Sequence, residues 1–223
     1  MKNLTTIKLL FFALILGVAA CKKLDNANPE VQNLAATAKD FTAIFGPQMQ
    51  KIEINPAIEN KITLKGGTKI TIPANSFSWG STNPGGVKIV IETMEVLKRS
   101  DVVFSGTNTN HISGAPLASD GFIYLNASLN GVNADKALLK PITITIPTTR
   151  TGFTQIWEGV EKVDSVPQMA WQAPRPANGI GQNKEIIAKD SGFTFDMGNL
   201  GWINCDVFYS YANPKTTTTV QLI

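Results

Sequence analysis

Few residues in this sequence have types and spacing that suit chemistry. There is one histidine, His111, and two cysteines, Cys21 and Cys205. A metal centre needs His, Cys, Asp or Glu clustered at ligand spacing. Here those residues are scattered, so neither a metal nor another cofactor is expected. Asp120-Gly121 and Asp190-Ser191-Gly192 read as turns rather than calcium loops. Gly66-Gly67 and Gly85-Gly86 precede strand-like sequence, which does not suit a phosphate cradle at a helix N-terminus. Cys205 lies in Trp202-Ile203-Asn204-Cys205-Asp206-Val207-Phe208-Tyr209, where strand alternation sets Ile203, Cys205, Val207 and Tyr209 on one face. That pattern predicts a small core hydrophobe rather than a reactive thiol, and His111 cannot partner it locally. The tryptophans are Trp79, Trp157, Trp171 and Trp202. Buried aromatics are the usual fate of tryptophan in a β-domain, and stacking on a sugar is the other. Trp157 and Trp171 are the candidates if the domain binds a glycan.

Cys21 carries the clearest assignment. Met1 to Lys8 holds Lys2 and Lys8 and no acid, and Leu9 to Ala20 follows without a charge. A helix over that apolar run rises only about 18 Å against a hydrocarbon core of about 30 Å. Residues 1–20 therefore read as a signal peptide rather than a membrane span. The run ends Val18-Ala19-Ala20-Cys21, which resembles the bacterial lipobox, with Val18 where leucine is commonest. The resemblance implies cleavage before Cys21 and acylation there, palmitate included. Three acyl chains, at about 0.8 kcal/mol per buried methylene, bind far more tightly than the marginal hold of one chain. Lys22 and Lys23 stand where aspartate retains lipoproteins in the inner membrane of well-studied Gram-negative bacteria. The expected address is thus the outer membrane, on its periplasmic or its outer face.

Loss of residues 1–20 leaves 203 of the 223 residues, enough for one large or two small domains. Lys2 and Lys8 leave with the peptide, so 18 basic side chains face 17 acidic ones and the net charge falls from +3 to +1. No basic patch stands out, and nucleic acid is not expected as a partner. With Cys21 acylated, Cys205 has no partner and no disulfide is expected.

Residues 21–50 read as a tether. Within it, Leu34, Ala38, Phe41 and Phe45 have roughly helical spacing, and Gly46-Pro47 stops the pattern. From Lys51 the period becomes two. If Ile62, Leu64, Ile70 and Ile72 form a hairpin, a loop of Gly66 to Thr68 sets Leu64 opposite Ile70 and Ile62 opposite Ile72. Val87, Ile89 and Ile91 share one face while Met94 and Val96 take the other, which predicts a bulge between them. Phe122 to Leu129 and the alternating Ile142, Ile144 and Ile146 are further strands. Later strands are expected at Gln155–Glu158, Gln168–Trp171, Glu185–Ala188, Phe193–Met197, Gly201–Tyr209 and Thr216–Ile223. The expected fold is all-β: a β-sandwich over residues 51–147 followed by a smaller β-rich region over 148–223, either separate or packed on the first.

The segment Gly67-Thr68-Lys69-Ile70-Thr71-Ile72-Pro73-Ala74-Asn75-Ser76-Phe77 resembles the opening of the ZU domain of ankyrins, netrin receptors and zonula occludens proteins. The later stretches Gly114 to Ala127 and Leu139 to Pro147 follow in the same order. The whole string is also similar to a group of exported bacterial proteins in which a segment like Leu200 to Phe208 follows the ZU-like part. The resemblance implies a ZU-like β-sandwich over residues 51–147 with a binding or structural role. Fold analogy transfers no ligand. His111-Ile112-Ser113 resembles the step at which some autoproteolytic domains, relatives of the ZU domain among them, cut themselves. There the histidine would take the serine proton and Ser113 would attack the Ile112 carbonyl of a strained peptide.

The leading expectation is therefore a non-enzymatic envelope lipoprotein. It presents a β-sandwich for interaction or structural spacing, held to the membrane by its N-terminal lipid, with a protein or glycan partner. A glycan-binding surface module is the alternative, and self-cleavage at His111-Ile112-Ser113 the more distant one.

Overall fold

Alternating aliphatic and polar residues, each run closed by Gly, Pro or Asn, give the chain short antiparallel strands. The computed structural model describes residues 37–80, 84–163, 166–174 and 185–209. The chain divides into two units, Met1–Phe45 and Gly46–Ile223. In the first, helix α1 spans Ala38–Phe45. Its start is a reciprocal cap: Asp40 Oδ2 accepts the Thr37 N–H at 3.0 Å and Thr37 Oγ1 accepts the Asp40 N–H at 3.1 Å. Phe41 and Phe45, one turn apart, stack with centroids 4.8 Å apart. Residues 31–36, where helical spacing begins in the sequence, lie outside the described residues, as do 210–223 with the expected strand Thr216–Ile223.

Among the described residues the second unit is all-β apart from one short helix. Its strands are β1 (Gln50–Ile54), β2 (Asn60–Thr63), β3 (Lys69–Ile72), β4 (Ile89–Val96), β5 (Leu117–Leu129) and β6 (Val132–Asn133). They continue as β7 (Ala137–Pro147), β8 (Phe153–Val163), β9 (Val166–Gln172), β10 (Glu185–Ile187), β11 (Gly192–Asn199) and β12 (Gly201–Phe208). Helix α2 (Arg99–Ser105) follows β4 and ends on Gly106 at φ +71°. The larger sheet runs β1-β4-β5-β12-β8-β10, with β6 on β5 and β9 on β8; the smaller runs β11-β7-β3-β2. Every pairing between these strands is antiparallel. Asn130 and Gly131, both at positive φ, make the two-residue turn between β5 and β6 that an Asn-Gly pair favours.

The aliphatic core lies between the sheets. Ile89, Ile91, Ile123, Leu125 and Ile203 of the larger sheet meet Ile70, Ile72, Ile142, Ile144 and Phe193 of the smaller one. A second, aromatic cluster covers the other face of the larger sheet: Val96, Leu117, Phe122, Trp157 and Trp171, with Val102 of α2 packed against it.

Several sequence expectations change in the folded chain. The hairpin is present, but Ile62 pairs with Ile70 and Asn60 with Ile72. The Leu64 N–H reaches the Thr68 carbonyl at 2.8 Å, so the loop is Lys65–Gly67 rather than Gly66–Thr68. A shift of two residues keeps every apolar side chain on its face, so alternation alone does not resist it. The choice is made by Glu95 of β4, whose carboxylate accepts the Gly66 N–H at 2.7 Å, the Thr68 N–H at 3.0 Å and the Gln50 amide at 2.9 Å. The bulge expected between Ile91 and Met94 is absent: β4 pairs with β5 in unbroken register from Val90 to Val96. Met94 and Val96 face outward because that face is buried too. Asp120-Gly121 is not a turn. It lies inside β5, where the register against β12 slips between Asn204 and Asp206. The segments expected as successive β-regions share both sheets, since β12 sits between β5 and β8 while β11 pairs with β7.

Candidate functional site

The bulge in β5 turns Asp120 toward the end of β7 and the loop after it. Gly121, at φ +127°, makes that bend; a Cβ there would meet Leu97 Cδ2 at 3.1 Å. Arg150, in the β7–β8 loop, is anchored by its own backbone N–H on Thr148 Oγ1 at 3.0 Å and by its guanidinium on the Phe153 carbonyl at 2.7 Å. The guanidinium also lies 5.7 Å from the Phe193 ring centroid and pairs with the Asp120 carboxylate. Asp120 is almost covered and Arg150 about a third exposed, with side-chain exposures of 7% and 35%. Burial pushes the Asp120 carboxyl above its ordinary range, opposed by the positive charge of Arg150 beside it.

This pair lines a cleft of about 900 Å³. Leu97, Val102, Val103 and Leu117 supply its apolar wall, and Lys98 and Arg99 add positive charge at the α2 side. Behind it runs a buried polar chain. Ser119 Oγ donates to Asn204 Oδ1 at 3.0 Å, and Asn204 Nδ2 donates to Asp206 Oδ2 at 2.6 Å. Burial pushes the Asp206 carboxyl up to about 7; bonds from Ser119 and Asn204 oppose this, and the Asp120 charge reinforces it. Asp206 has no exposed surface. Cys205, beside it in sequence, points the other way into the aliphatic core, where burial pushes its thiol well above the ordinary range.

The structure separates the residues the sequence singled out. Trp157 and Trp171 do not present stacking surfaces. They are 3% and 0% exposed. Their indole N–H groups donate to the Asp206 carbonyl at 3.0 Å and the Asn108 carbonyl at 2.7 Å. The segment 107–116 buries them: Asn108 Nδ2 donates to the Met169 carbonyl at 2.6 Å, and the Ile112 N–H donates to the Trp171 carbonyl at 2.9 Å. Trp79 is half-buried and donates to the Val132 carbonyl at 3.0 Å. Trp202 is half-buried on the outer face of β12, its ring 5.1 Å from Tyr124.

His111 and Ser113 do meet. His111 Nδ1 lies 2.8 Å from Ser113 Oγ and accepts the Ser113 N–H at 3.2 Å, across a turn closed by Gly114 N–H on the His111 carbonyl at 2.8 Å. The His111 ring stands edge-on to Trp157 and Phe208, 5.3 Å from each. Neither Ile112 nor Ser113 has positive φ. Among the described residues no group of three or more His, Cys, Asp or Glu side chains is placed to hold a metal ion. Cys21 lies outside the described residues.

Sequence reasoning missed Asp120, Arg150 and Asp206 as a group. One signal was legible: Asn204 and Asp206 interrupt a mostly apolar strand, and a charge there requires partners. The chain matches no protein-family model, no curated protein and no solved structure. Fold alone therefore defines its class, an all-β protein of two antiparallel sheets around an aliphatic core.

Proposed function

We propose that this chain is an exported, non-enzymatic lipoprotein, anchored through Cys21, whose ZU-like β-sandwich binds an amphipathic ligand in the cleft over Asp120 and Arg150. The observation that carries the binding role is the wall chemistry of that cleft. A partly exposed guanidinium, held by Asp120 and the Phe153 carbonyl, sits under an apolar wall from β4 and α2. A ligand with an apolar body and an anionic or acceptor-rich end matches both surfaces. The strongly perturbed groups fit structural roles, since Asp206 and Cys205 are fully covered.

The anilinonaphthalene sulfonate anion is a suitable probe, being apolar with one sulfonate. Saturable fluorescence enhancement on the folded protein is expected, weakened in Arg150→Gln and in Val103→Asp. The second variant alters a side chain that is 72% exposed, so it leaves the core intact. No saturable binding, or equal binding by both variants, removes the cleft from the reading. For the anchor, globomycin is expected to block maturation and palmitate to label Cys21; maturation unaffected by the drug, with no acyl label at Cys21, overturns it.

A second reading rests on the 2.8 Å separation of His111 Nδ1 and Ser113 Oγ. In it the histidine takes the hydroxyl proton, Ser113 Oγ attacks the Ile112 carbonyl, and the proton passes to the departing Ser113 nitrogen. Water then hydrolyses the resulting ester. Two fragments divided at Ile112–Ser113 on a denaturing gel, abolished in Ser113→Ala, are its signature; one intact band ends it.

A further inference from the structure

A second concavity, separate from the cleft at Arg150, lies on the outer face of the larger sheet. Its volume is about 430 Å³. Trp202 and Tyr124 occupy paired positions on β12 and β5, and their rings tilt at 54° with centroids 5.1 Å apart. Both are half-buried, unlike the enclosed Trp157 and Trp171. Gly159 of β8 makes room for this arrangement. A Cβ there would lie 2.5 Å from Trp202 Cβ, 2.7 Å from Met169 Cε and 3.1 Å from Trp171 Cζ3. The glycine thus lets Trp202 lie down against β8 while the layer below stays closed.

Polar groups ring the two aromatics. The exposed Glu161 of β8 lines one side, with Glu158 almost covered behind it; Asn126 of β5, Asn133 of β6 and Lys136 line the other. The Asn126 amide is held in place, donating to Asn133 Oδ1 at 2.9 Å and to Glu92 Oε2 at 3.3 Å. Glu92 is itself held by Lys51 at 2.7 Å. Burial raises the Tyr124 hydroxyl, and the charges of Glu161 and Glu92 raise it further, so it stays a neutral donor.

We propose that this groove is a carbohydrate site for a neutral or amino sugar. Pyranose rings carry apolar C–H faces that cover aromatic rings, and hydroxyls that need both donors and acceptors. Trp202 and Tyr124 supply the first surface, and the flanking carboxylates, amides and lysine supply the second. Two carboxylates against one lysine make the groove acidic. That disfavours uronates and phosphosugars and suits an amine-bearing or uncharged ring. The volume lies within the usual range for small-ligand sites.

The test uses the mature chain in affinity electrophoresis and in tryptophan-fluorescence titration. Probes are laminarin, xylan and chitosan oligomers, with alginate as the acidic control and oligolysine as a cationic peptide. Retardation by at least one of the neutral or amino glycans is expected, with alginate inert. Trp202→Ala should weaken that binding about tenfold or more. Glu161→Gln, at an exposed position that leaves folding intact, should weaken it several-fold, and Val103→Asp should leave it unchanged. The last result separates this groove from the cleft at Arg150, so either site can fail alone. No retardation by any glycan overturns the proposal. So does equal binding by wild type and Glu161→Gln, preference for alginate, or binding of oligolysine alone.

Discussion

The two faces of the larger sheet are both buried, but by different means. The inner face meets the smaller sheet through aliphatic side chains in unbroken alternation, such as Ile123, Leu125, Ile142 and Ile144, all at 0% exposure. Such contacts are non-directional and need only shape and parity. The outer face is aromatic, with Phe122 flanked by Trp171 at 5.1 Å and Trp202 at 5.8 Å. Its cover is not a sheet but α2 and segment 107–116; the Trp171 indole takes a carbonyl from that irregular segment, while the Trp157 indole takes the Asp206 carbonyl of β12. A second face that is hydrogen-bonded as well as packed is where clefts form, because loops cover it incompletely. The cleft at Arg150 and the groove at Trp202 both involve that face or its margin.

Truncation tests the equivalence of the two faces most severely. Trp171→Ala should cost about 3–5 kcal/mol and Ile144→Ala about 2–5 kcal/mol, read from chemical denaturation. If Trp171→Ala costs less than about 1 kcal/mol, the outer layer is a loosely held cover rather than a second core.

Next in size is a pH effect confined to the outer face. In the unfolded chain the Asp206 carboxyl loses its proton near 3.8, whereas the fold holds it to about 7. The folded state binds more protons between those values, so stability falls as pH rises through that window and levels off above it. The loss is on the order of 4 kcal/mol. Asp206→Asn should flatten the profile. An unchanged profile in that variant assigns the pH dependence to other groups, Asp120 first among them.

Smaller still is the effect of a single methyl group. Gly159→Ala, whose Cβ meets Trp202 at 2.5 Å, should cost about 1–3 kcal/mol. Gly86→Ala, with nothing within 4 Å, should change stability by less than about 0.5 kcal/mol. Equal values for the two would place Trp202 away from Gly159. The least effect is expected at the inner face: Cys205, free and fully covered, should resist alkylation until the protein unfolds. Prompt labelling of native protein would mean that the inner core opens to solvent.

Much of the inner face was legible in the sequence. The pairing of β2 with β3 and the core positions of Ile142, Ile144, Ile146 and Cys205 follow from period-two alternation. The outer face was legible only in composition. Met94 and Val96 read as a break in alternation under one-sided burial, whereas the outer face of β4 is itself covered at its end, with Val96 buried and Met94 half-buried against the aromatic cluster. Trp157 and Trp171 looked available for a ligand, since nothing local to them announces that segment 107–116 covers them from some 60 residues away. Asn130-Gly131 carries a local signal for the tight turn between β5 and β6.

The sequence by itself determined the all-β class, the parity of the strands and the apolar identity of Cys205, because each depends on the direction in which neighbouring side chains point. Tertiary structure decided the absolute register of the β2–β3 hairpin, through the carboxylate of Glu95. It also decided that Asp120 meets Arg150 and that Trp202 rather than Trp157 or Trp171 stays partly open. Those outcomes depend on partners distant in the chain. A periodic pattern fixes which face a residue occupies, but only the packed neighbours fix what lies across from it.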